Sequence, residues 1–140
     1  MSALELDEFF KQTFIRVAHK HLGAIADKVK LFDYDQEIVP HVRSVAASGH
    51  TPGHTALLIE SDEYNLLHLA DTVHNESFDI EHPEWQTVFD HNPAEAEATR
   101  RRLLDRAAQA NTLLMAYHLP LPSIGYVKIV NDKYQWQAKN

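Results

Sequence analysis

The 140-residue sequence predicts a single α/β or α+β domain, and three observations carry that prediction. Helical and strand-like stretches alternate along the chain, in the order helix, strands, helix, strands. The apolar share of 44% and charged share of 24% are those of an ordinary globular chain, long enough to bury a core. No repeat, low-complexity tract or Pro/Gly/Ser linker divides it.

Leu6, Phe9, Phe10, Thr13, Phe14, Val17 and Ala18 recur at helical spacing, so residues of about 4–22 read as an amphipathic helix that Gly23 can stop. A second short helix fits 24–29. Residues 38–47 read as extended, bent at Pro40. Gly49-His50-Thr51-Pro52-Gly53 is a loop by its glycines and proline. Strands fit 55–60 and 64–70, with a hairpin turn over 61–64. Residues 71–91 are polar and aromatic without a period, hence a long loop, and connections of that length in a compact domain are usually functional or disordered. Asn92-Pro93 then supplies a capping side chain followed by proline at the first helical position, and the Ala-, Glu-, Arg- and Leu-rich stretch to Ala110 continues the helix. A buried strand fits 113–117. A terminal hairpin fits 125–130 and 134–136, turning at Asn131-Asp132-Lys133.

Composition excludes several functions. The formal charge of −7 argues against nucleic-acid binding, which usually needs a basic surface. Apolar runs such as 55–59 and 113–117 are far shorter than the ~20 residues of a membrane span. Met1-Ser2-Ala3-Leu4-Glu5 lacks the positive cluster and apolar stretch of a secretory signal, so a cytoplasmic location is expected. Without cysteine there are no disulfides or thiolate metal sites, so any metal must take nitrogen and oxygen donors.

Histidine stands out, at ten residues. His50 lies in the loop before the strand at 55–60, Asp71 follows the strand at 64–70, and His118 follows that at 113–117. Strand ends along one rim collect catalytic groups, because loops converge there while the strands stay rigid. Imidazoles with a carboxylate suit zinc, manganese or iron. Each residue also has a plainer reading: His50 ordering a Pro-Gly turn, Asp71 forming an Asx-turn, His118 bonded to backbone. His19, His21, His41, His68, His82 and His91 are expected to have no role in a site, and His68 to point to an open sheet face. Trp85 and Phe89 are expected to cover core, and Arg100-Arg101-Arg102 to form a solvated helix face.

The local sequence is more specific. Gly49-His50-Thr51-Pro52-Gly53-His54, two apolar strands ending in Asp71, and then a helix, a strand and His118-Leu119-Pro120-Leu121-Pro122 together resemble the metallo-β-lactamase-fold superfamily. The resemblance covers about residues 37–136. His82-Pro83-Glu84-Trp85, Phe89-Asp90 and Thr99 to Leu104 look like the branch with lactonases and organophosphate hydrolases. It implies the C-terminal half of an αββα sandwich, a mixed sheet with flanking helices, and a hydrolase of small-molecule ester, lactone or phosphoester substrates. It implies His50 and His118 as ligands of two divalent cations, zinc foremost. Asp71 becomes the catalytic carboxylate bridging both, and His74 a substrate contact. His54 would hydrogen-bond behind the loop.

The family's upstream motif H-x-H-x-D-H, which ligates both metals, is absent, and Ala70 replaces the usual glycine before the aspartate. The chain is then either a fragment supplying part of a dinuclear site, or a non-catalytic remnant that self-associates. Its partner is a homodimeric copy or a missing N-terminal half, because the inner sheet face otherwise lacks cover.

Overall fold

Seven strands pair in chain order into one mixed sheet in the computed structural model, which describes residues 8–139. The chain divides into two units at Phe32–Asp33, and the sheet belongs entirely to the second. In the first unit, α1 (Glu8–Ala24) runs through Gly23 before ending, and a 3-10 turn at Ala26–Lys28 follows. The expected helix start at about residue 4 lies outside the described residues. Among those residues, no helix is long and apolar enough to cross a membrane.

In the second unit β1 (Glu37–Val39) and β2 (Val42–Ala46) flank the bend at Pro40, where His41 takes a φ of 67°. β3 (Thr55–Glu60) and β4 (Asn65–His68) form the expected hairpin, closed by Ser61 N–H donating to the Tyr64 carbonyl. β4 is shorter than expected because Ala70–Thr72 tightens into a 3-10 turn. α2 (Pro93–Ala110) crosses over to β5 (Leu113–Met115), which pairs parallel to β4, the one parallel pair of the sheet. β6 (Ile124–Val130) and β7 (Lys133–Ala138) close on Asn131 and Asp132 alone. Their φ values of 51° and 61° give the left-handed pair that a two-residue hairpin turn needs.

Residues paired directly across strands share a sheet face. Val45, Ala56, Leu58, Leu67, Leu114 and Val127 line one face, buried in a core with Leu103, Leu104 and Ala107 of α2. Burying each large side chain contributes roughly 1.5–3 kcal/mol before entropy. The opposite face carries Val42, Leu57, Ile59, Leu66, Leu113, Met115 and Tyr126, half-buried for the most part, with Ile59 exposed. His68 lies on this second face but is not open: it is 9% exposed and meets Tyr117 edge-on.

Candidate metal centre

The loop Gly49–Gly53 is held against the start of α2. Asn92 N–H donates to the Gly49 carbonyl at 2.9 Å, His91 N–H to the His50 carbonyl at 3.1 Å, and Thr99 Oγ1 to the Ser48 carbonyl at 2.8 Å. Gly49 is required there, since a Cβ would come within 2.4 Å of Ala96 backbone atoms and the φ is 132°. The loop therefore delivers His50 to a fixed place beside the ends of β4 and β5.

Asp71 and His118 meet it there. Asp71 Oδ1 lies 3.1 Å from His118 Nε2, and its Oδ2 lies 4.0 Å from His50 Nε2. One carboxylate thus offers a separate oxygen to each imidazole, and the three residues expected to converge do so. His54 is behind the loop, as expected. Its Nδ1 sits 3.1 Å from the Ala47 carbonyl, so it carries the proton, while Nε2 accepts the Asp71 N–H at 3.2 Å. Burial lowers the His54 pKa, favouring the neutral ring this double role requires. Ala70 adopts a φ of 48°, the left-handed conformation that explains why glycine is usual at that position.

His74 joins the cluster from the next turn of chain. Its ring centroid is 5.1 Å from that of His50 and 5.2 Å from that of His118, with which it stacks. Single donor atoms of Asp71, His74 and His118 all lie within 4.8 Å of one another, close enough for a metal ion. Phe89 stands 6.2 Å from His74 by ring centroids, and it is exposed, as is Trp85. Both were expected to cover core and neither is buried; Trp85 stacks on His82 at 4.3 Å by ring centroids.

Behind the cluster lies a charge network that sequence reading missed. Arg100 is 1% exposed, which corrects its placement on a solvated face. Its Nε donates to the Thr72 carbonyl and Nη1 to the Pro83 carbonyl, and Nη2 is 3.3 Å from Asp90 Oδ2 and 3.5 Å from Asp79 Oδ1. Asp90 in turn holds His50, Oδ1 to Nδ1 at 3.1 Å. Asn75 caps a π-helical turn at Glu76–Ile80, and Asp79 within that turn accepts the N–H groups of His74 and Asn75 on its Oδ2. Burial raises the Asp79 pKa, but hydrogen bonding with His74 and the Arg100 charge outweigh it and hold the carboxyl below its usual range. The missed signal was helical spacing: Ala96, Arg100, Leu103, Leu104 and Ala107 share one face, and all are buried.

A surface hollow of about 670 Å3 is lined by Arg102, Asp105, Arg106, Gln109 and Ala110 and includes none of these residues. It is an open groove along α2.

A family model described as the metallo-beta-lactamase superfamily matches residues 3–118. No curated protein matches the chain. Among solved structures, the chain is similar to AidC, a dizinc quorum-quenching lactonase in complex with a product. Identity is 29% and TM-score 0.90, over 99% of this chain and 47% of that one. It is similar to the hydrolase AbOPH of the beta lactamase superfamily at 25% identity and TM-score 0.76, over 99% of this chain and 50% of that one. A probable metal-dependent hydrolase from Staphylococcus aureus, 24% identical, shares the fold at TM-score 0.61, over 82% of this chain and 42% of that one. The chain spans about half the length of the first two.

Proposed function

This chain belongs to the metallo-beta-lactamase superfamily, and we propose that it supplies one side of the active site of a metal-dependent hydrolase. The substrate is a small-molecule ester, lactone or phosphoester. The observation that carries the reading is Asp71, set between two imidazoles with an oxygen toward each. The residues fit a metal on the donor chemistry: imidazole and carboxylate suit zinc, with manganese or iron as alternatives, and no thiolate competes. His50 is prepared for ligation, its Nδ1 engaged by Asp90 and its Nε2 left toward Asp71. A bound pair of cations supplies Lewis-acid polarisation of the scissile group. In that two-cation site His50 and His118 are ligands, Asp71 the shared carboxylate, and His74 faces the substrate.

The remaining ligands come from a segment bearing H-x-H-x-D-H, in the same polypeptide or a partner. Lactone and phosphotriester hydrolysis by the purified chain with zinc or manganese tests the reading. A residual rate that disappears in Asp71→Ala is expected, rising when a segment with the motif is joined to the chain. No turnover by the joined form contradicts the hydrolase reading, and full turnover by the chain alone contradicts the shared site.

The half-buried apolar face from Val42 to Tyr126 supports association, because a monomer rarely keeps a large apolar patch in water. We expect this chain on its own to pair through that face as a homodimer. Sedimentation equilibrium at micromolar concentration checks it, and a strictly monomeric chain refutes it.

A further inference from the structure

We infer that this chain by itself holds one divalent cation on Asp71, His74 and His118, with His50 as a fourth donor. The inference rests on the reading of this rim as a metal site and departs from it at His74, which becomes a ligand instead of a substrate contact.

Ligands about 2.0–2.2 Å from one zinc ion stand roughly 3–3.5 Å apart. The 3.1 Å between His118 Nε2 and Asp71 Oδ1 is already at that spacing. The widest separation among donor atoms of Asp71, His74 and His118 is no more than 4.8 Å, so the His74 ring need close by only about 1.5 Å. His50 lies outside that group, its Nε2 4.0 Å from the other carboxylate oxygen, Oδ2, and joins as the fourth donor by closing toward it. Three imidazole nitrogens and one carboxylate oxygen complete a four-coordinate shell without any ligand from H-x-H-x-D-H.

A second observation points to the same ring. His74 Nδ1 is buried and makes no hydrogen bond, whereas most buried polar atoms are satisfied. Asp79 Oδ2 is 3.7 Å away, just beyond hydrogen-bond reach. Ligating histidines normally hand their second N–H to a carboxylate, and Asp90 already does this for His50 at 3.1 Å. Asp79 is placed to do the same for His74 once the ring is drawn by a cation. Arg100 pairs with both carboxylates, so one guanidinium backs two imidazoles of the four-donor set.

The test is calorimetric titration of the chelator-stripped chain with zinc, with cobalt(II) absorption as a second readout. One cation per chain is expected, with affinity falling at least about tenfold in His74→Ala and in His118→Ala, and a smaller loss in Asp79→Asn. Two cations per chain, or unchanged affinity in His74→Ala while Asp71→Ala and His50→Ala abolish binding, overturns the inference and leaves the hydrolase reading standing. No zinc binding by the parent chain also overturns it, and the joined-segment assay then decides the hydrolase reading separately. Should the alanine variants unfold, imidazole nitrogen NMR of the unaltered chain decides. A zinc-dependent shift at His74 is expected, and an unmoved His74 overturns the inference.

Discussion

Arg100 is the residue on which the candidate centre most depends, and the one its surroundings in sequence most disguise. In a run of three arginines it looks like part of a charged surface, and the carboxylates it meets, Asp79 and Asp90, come from the long connection before α2. Only its place on the apolar stripe of the helix betrays the burial. Removing one partner of a buried ion pair strands the others, at a cost of about 3–5 kcal/mol. Arg100→Met should therefore lower unfolding stability by that amount in urea, far more than Arg102→Met on the exposed side; equal effects would contradict the network. By contrast His50, Asp71 and His118 were legible, because a short motif and strand-end positions identify them without knowledge of packing. Titration gives a second prediction for the metal-free chain. Burial holds His54 and His68 below the ordinary imidazole value of 6.5. As pH falls from 6.5 toward their folded-state values the unfolded chain takes up protons first, so stability is complete above 6.5 and is lost below it until both states are protonated. Urea melts at pH 7.5 and 5.5 should show the chain weaker at 5.5, and equal midpoints would contradict the assignment.

At the scale of elements, the site is set by the contact of one loop with one helix. α2 is capped by Asn92, whose Oδ1 accepts Glu95 N–H, and Pro93 occupies the first helical position. Those two residues made the helix start readable to the residue. The loop's docking was not readable, because it depends on Gly49 meeting Ala96, a contact no local pattern encodes. Gly49→Ala should destabilise the protein by about 3 kcal/mol or more, combining a left-handed φ with a backbone clash that no rotamer relieves. Gly53→Ala, with open space around it, is the control. Similar stability of the two variants would mean that the loop is not pinned to α2. The connection at 71–91 read as irregular because its order is tertiary. Val73, Asp79, Ile80 and Asp90 are buried in it, and Asp79 accepts the N–H groups of His74 and Asn75, bonds that local periodicity does not predict.

At the scale of the molecule, element order predicts the α/β or α+β class, while the mixed sheet with flanking helices is what the family resemblance implies, and the sheet and the family model agree with both. Along β3, Ala56 and Leu58 are buried on the α2 side while Leu57 and Ile59 face the other way, so the two faces of the sheet are not buried equally. Both proposals place a cation at the rim formed by the ends of β4, β5 and the His50 loop. Anomalous diffraction at the zinc edge, from crystals of the chain grown with zinc, locates that cation. A peak is expected about 2.0–2.2 Å from an Asp71 oxygen and from a ring nitrogen of His118. Peaks confined to other histidines, such as the exposed His82–Glu84 pair, would contradict it.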